Sequence, residues 1–124
     1  MRLLLDTHVL IWWSGGKRVA PTAAEAIRSP DNEVFVSAAS IWEAEIKAAT
    51  GKLKLTADLQ VEPAEHGFAS LDINAGHAVA AARLPRHHDD PFDRMLIAQA
   101  QLEGLTLVTR DPVFDSYAVA MLRA

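Results

Sequence analysis

Short apolar runs alternating with stretches of helical periodicity are what most constrain the fold of this chain. Residues 2–5, 33–36, 69–71 and 105–108 read as strands. Between them, residues 9–13 form a short helical pattern, 21–28 a second, and 38–49 a third with Gly51 just beyond its end. Asn74 is placed to cap an alanine-rich helix that runs to about residue 84 and is stopped by Pro85. A further helix is expected over 91–103, with Pro91 at its first position and Gly104 after its last. Strands that alternate with helices of this length need crossover connections. The expected class is therefore α/β, a sandwich whose mainly parallel central sheet is covered on both faces. A length of 124 residues suits one domain spanning 1–124.

Composition removes several functions. Half the residues are apolar, too many for a solvating chain, yet no apolar stretch is long enough to span a membrane. The N-terminus reaches Asp6 after three leucines, so a signal-peptide core is not expected and a soluble, cytoplasmic protein is. Cysteine is absent, which excludes disulfides, thiolate zinc sites and cysteine nucleophiles and leaves carboxylate, imidazole and hydroxyl chemistry. A net charge of −4 argues against a general basic coat for nucleic acid. Locally the balance differs, because Lys47, Lys52, Lys54, Arg86, Arg94 and Arg110 all lie near candidate acids in sequence, and a bound cation reverses the sign of an acidic pocket.

Four acids stand where apolar runs meet helices or loops: Asp6, Glu43, Asp93 and Asp111. In open parallel sheets the functional crevice lies beyond the carboxyl ends of the strands, where Asp6 and Asp111 fall. Glu43 and Asp93 belong to two different helices and join them only if both helices start at that same end of the sheet. Carboxylates with few imidazoles suit Mg2+ or Mn2+, which bind through one or two carboxylates plus substrate phosphate; that points to phosphodiester chemistry, with two ions about 3.5–4 Å apart in a two-metal scheme. Each acid also has an ordinary explanation. Asp6 could cap the helix that follows, Glu43 could pair with Lys47 four residues on, Asp93 could answer a helix dipole, and Asp111-Pro112 could make a turn. Asp90 suits the N-cap before Pro91, Glu45 faces solvent, and the adjacent His87 and His88 lack a further zinc-ligand pattern. Trp12, Trp13 and Trp42 could stack on bases or pack in a core or interface.

Four ordered blocks carry a resemblance: Leu4-Leu5-Asp6-Thr7-His8-Val9-Leu10-Ile11-Trp12; Val36-Ser37-Ala38-Ala39-Ser40-Ile41-Trp42-Glu43 with Lys47 and Gly51; Leu84-Pro85 leading to His88-Asp89-Asp90-Pro91-Phe92-Asp93-Arg94; and Leu107-Val108-Thr109-Arg110-Asp111. The chain resembles, over nearly its whole length, a VapC-type toxin of the PIN-domain ribonuclease family. The resemblance implies a PIN-like α/β/α sandwich and a four-acid site at Asp6, Glu43, Asp93 and Asp111 that binds Mg2+ or Mn2+ and cleaves RNA. It also implies a cognate VapB-like antitoxin whose C-terminal segment occupies the active-site groove, and a homodimer. Thr7, Ser37, Ser40 and Thr109 fall beside the acids as hydroxyl donors that could orient them, and Arg94 and Arg110 as contacts to substrate or to an acid. Asp89 stands where the family more often carries Arg, making that loop more acidic than expected. Ile11, Trp12 and Trp13 are expected to be exposed and to contribute to dimer or antitoxin contact.

Competing α/β readings fit less well. A haloacid-dehalogenase-type phosphatase needs a second Asp two residues after Asp6, where His8 stands. A receiver domain needs paired acids near the first strand and a later Lys, and neither is present. A PIN-like module that only binds has no need of acids at all four positions.

Overall fold

The three leucines of β1 (Arg2–Leu5) are completely buried in the computed structural model, which describes residues 1–124. A strand with no exposed side chain after its first residue must be covered on both faces, and β1 lies at the centre of its sheet. The other strands are β2 (Glu33–Ser37), β3 (Ala69–Leu71), β4 (Thr106–Thr109) and β5 (Met121–Arg123). All neighbours pair in parallel, in the order β3-β2-β1-β4-β5. Chain order reverses between β1 and β4, so the topological switch point lies at their carboxyl ends, where parallel sheets open a crevice.

Side-chain alternation splits the apolar residues into two cores. Leu3, Leu5, Val34, Val36 and Val108 face α1 (Thr7–Ser14), α2 (Pro21–Arg28) and part of α3 (Ala38–Ala49). Leu4 and Leu107 face the other way, toward α5 (Ala75–Arg83) and α6 (Pro91–Glu103). A short helix α4 (Glu62–Glu65) precedes β3. The expected α/β sandwich with a parallel sheet is what forms.

Local chemistry explains the helix limits. Asn74 accepts from the His77 N–H while the His77 ring accepts from the Asn74 N–H, closing a capping box on α5. Asp90 accepts from the Phe92 and Asp93 N–H groups before Pro91 opens α6. At the far end Gly104 adopts φ 65°, a left-handed conformation that stops α6 and turns the chain into β4. Three elements were not anticipated: α4, a 3₁₀ turn over Pro112–Ser116, and β5. Each holds at most five residues, too few to show a period. No helix is long and apolar enough to cross a membrane.

Because Leu107 sits in a central strand with no exposure, Leu107→Ala should lower unfolding free energy by about 2–5 kcal/mol. Urea denaturation measures it, and a loss well under 1 kcal/mol would contradict this packing.

Candidate functional site

Asp6 leaves β1 with its N–H still on the ladder, donating to the Val108 carbonyl at 3.0 Å. It occupies the N-cap position of α1, yet its side chain makes no cap hydrogen bond. Instead Oδ2 accepts from the Thr109 hydroxyl at 2.8 Å, and Oδ1 is buried without a partner. Helix capping therefore does not explain this carboxylate, which is only 2% exposed. Burial raises its pKa above the ordinary 3.8, with the Glu43 charge adding to the rise; the Thr109 bond and nearby His8 oppose it.

Glu43 comes from the second turn of α3 and is also buried. The pair with Lys47 exists, with Nζ 3.1 Å from Oε2, but it is not a solvated surface pair, because Oε1 is buried and unpartnered. Asp93, in the first turn of α6, accepts from His88 Nε2 at 2.8 Å through Oδ2. Its pKa is pushed up to about 6, chiefly by burial, with the charges of Asp90, Asp6 and Glu43 adding and the His88 hydrogen bond opposing. Asp6, Glu43 and Asp93 are thus close enough to feel one another's charge, although they come from distant parts of the chain.

Asp111 stands differently. Its Oδ1 accepts from the Val113 N–H and caps the 3₁₀ turn, as the turn-former reading expected. The Asp111 N–H donates to Thr109 Oγ1 at 3.1 Å, and the same hydroxyl donates to Asp6, so Thr109 links the two acids. Thr109 is thus the hydroxyl that meets Asp6 directly. Thr7 donates to Ser40 at 3.1 Å, tying α1 to α3. Ser37 turns away: it caps α3 through the Ala39 N–H and donates to Gln99 at 2.6 Å.

Two arginines depart from expectation. Arg94 is not a phosphate contact; it is 5% exposed and donates to five backbone carbonyls between Ala81 and His88. A guanidinium with planar, fixed donors suits carbonyls gathered at a helix end, which sequence spacing did not reveal. Arg110 is also directed elsewhere, donating to the Ala124 and Arg18 carbonyls and lying 4.2 Å over the Trp12 ring. Ile11, Trp12 and Trp13 are half-buried against the first core rather than exposed. Trp42 is the exposed tryptophan, at 61%, edge-on to Phe92. Asp89 points to solvent beside Arg86, and His87 packs on Tyr117. The residue underrated in sequence is His88, whose role needed the α5–α6 loop to be folded.

The donors fit a hard divalent cation. Two buried carboxylate oxygens, Asp6 Oδ1 and Glu43 Oε1, lack any protein partner, and buried unpaired anionic oxygens are costly unless a cation meets them. At a spacing of 4.8 Å the ligand atoms that cluster are those of His88, Asp90 and Asp93; Asp6, Glu43 and Asp111 do not join them at that distance. A concavity of about 760 Å³ lies elsewhere, against Trp13, Lys17, Arg28 and Phe68, and is lined by no carboxylate.

Known proteins share this sequence pattern and fold. The PIN domain family model matches residues 3–120. Over 115 residues, 88% of this chain and 86% of the relative, the chain is 36% identical to Ribonuclease VapC22 of Mycobacterium tuberculosis. Among solved structures, VapBC2 from Rickettsia felis bound to a DNA fragment from its promoter superimposes with a TM-score of 0.78 at 14% identity, covering 100% of this chain and 99% of that one. A toxin-antitoxin complex from Klebsiella pneumoniae gives 0.69 at 24% identity, covering 97% and 95%. The chain belongs to the PIN-domain family, among its VapC-type members.

A pH dependence follows from the crowded acids. Asp93 titrates near 6 when folded and near 3.8 as a free carboxylate, so between those values the folded chain holds more protons than the unfolded one. This contribution is fully present below about pH 4 and is lost as pH rises through 6. Asp93→Asn should therefore stabilise the chelator-treated chain at pH 7.5 by about 1 kcal/mol, and much less at pH 4. Thermal melts at the two pH values measure it; equal shifts at both would contradict the burial of Asp93 among like charges.

Proposed function

We propose that this chain is the toxin of a type II toxin-antitoxin pair, a Mg2+- or Mn2+-dependent endoribonuclease that hydrolyses RNA phosphodiester bonds. The observation that carries the reading is the pair of buried, partnerless oxygens on Asp6 and Glu43 beside Asp93. Similarity to a relative named a ribonuclease supports the reaction class. In this reading Asp6 and Asp93 hold the ion directly or through water, Glu43 binds it or orients the attacking water, and Asp111 completes the four-carboxylate site. A bound Mg2+ or Mn2+ supplies an activated water and offsets charge on the scissile phosphate. Thr109 keeps Asp6 in place through its 2.8 Å bond, and Lys47 holds Oε2 of Glu43, which leaves the buried Oε1 for the ion. The raised pKa of Asp93 means that acid competes with the ion for this site.

The partners belong to the same reading: RNA as substrate, a VapB-like antitoxin as inhibitor, a homodimer as the assembly, and the cytoplasm as the compartment. Structural neighbours described as VapBC complexes support the antitoxin.

Asp6→Asn and Asp93→Asn should each reduce cleavage of total RNA under Mn2+ to the level of chelated wild type, with circular dichroism unchanged. Mapping of new 5′ ends with and without chelator reads the result. Wild-type cleavage by either variant removes that residue from the site, and cleavage indifferent to chelator removes the metal.

A further inference from the structure

The loop between α5 and α6 is gripped from within. Arg94 donates to the Ala81, Ala82, Leu84, Pro85 and His88 carbonyls at 2.9–3.4 Å, and the Tyr117 hydroxyl reaches those of Pro85 and His88 at 2.9 and 3.4 Å. Five carbonyls on one buried guanidinium leave the loop little freedom, and the His88 backbone is held from two elements at once. From that anchored position the His88 ring meets Asp93 Oδ2 at 2.8 Å. An ionised carboxylate only accepts, so Nε2 is the donor.

His88, Asp90 and Asp93 could be taken for a metal site of their own, since their ligand atoms cluster. Hydrogen bonding argues otherwise. Asp90 Oδ1 caps α6 by accepting from two backbone N–H groups at 2.8 and 3.0 Å, and His88 Nε2, the ring nitrogen that meets the carboxylates, is directed at Asp93, which takes the imidazole out of the ligand set. A nitrogen that donates a proton has no lone pair for a cation. We infer that His88 is a positioning residue: by occupying Asp93 Oδ2 it fixes the carboxylate and leaves Oδ1 for the ion shared with Asp6 and Glu43. Arg94 and Tyr117 act on the site through His88, by fixing the loop that carries it. The arrangement matches the general rule that carboxylate ligands are themselves oriented by hydrogen bonds, whose loss weakens metal binding about 10–100-fold. This inference rests on the metal reading of the site.

The test is Mn2+ binding by calorimetry, without RNA. His88→Ala should raise the Mn2+ Kd about tenfold or more, with an unchanged urea midpoint. His88→Gln, which returns an N–H donor at similar reach, should recover most of the loss. In the wild-type protein, 15N NMR of the imidazole should show a protonated Nε2, and Asp93→Ala should shift it. Unchanged affinity in His88→Ala overturns the inference while leaving the metal site intact. Imidazole nitrogen coupling to bound Mn2+ in pulsed electron paramagnetic resonance that persists in His8→Ala also overturns it, since His88 rather than the His8 beside Asp6 would then be a ligand. A wild-type chain that takes up no Mn2+ removes the metal reading and this inference together.

Discussion

Like charges buried side by side are the constraint on which this structure turns. Asp6 and Glu43 are each less than a tenth exposed, and Asp93 is half-buried beside them. Lys47 is the one basic side chain paired with any of the three apart from the histidines His8 and His88. Burying such a cluster opposes folding, and the pKa values of Asp6 and Asp93 are raised chiefly by that burial, with neighbouring acids adding to the rise. Two apolar layers packed against a sheet with fully buried central strands supply the stability that lets it persist. In the proposed reading a divalent cation would convert the same cluster from a liability into a cross-link among segments remote in sequence.

The architecture brings the acids together by simple means. Parallel strands all end on one side, and the switch point between β1 and β4 opens there. Asp6 follows β1 directly, α3 follows β2 directly and carries Glu43 inward, and α6 starts with Asp93 in its first turn. Helix N-termini present unpaired N–H groups, so the positive ends of α1 and α6 partly offset the charge that the side chains accumulate. Hydroxyls then lock the details: Thr109 holds Asp6, and Thr7 with Ser40 ties α1 to α3.

Much of this was legible in the residues. Pro91 and Gly104 bound α6, Asn74 opens α5, and Pro21 opens α2, because each of these residues acts on its own backbone within a turn or two. The acids could be named but not chosen between their roles. Capping explains Asp90 and describes what Asp111 does, yet fails for Asp6, whose side chain leaves its own helix for Thr109, 103 positions away. Arg94 misleads for a related reason. A cation next to an acid in sequence suggests electrostatics, while its real partners are backbone carbonyls, which any sequence supplies everywhere.

Periodicity and local punctuation alone determined the α/β class, the parallel crossovers and most element limits, because those depend on neighbours within a few residues. Tertiary structure decided which oxygens lack partners, that His88 faces Asp93, that Trp12 and Trp13 pack inward while Trp42 stays out, and that three acids share one field. Those outcomes depend on burial and on distances between segments tens of residues apart, and no short window of sequence contains either.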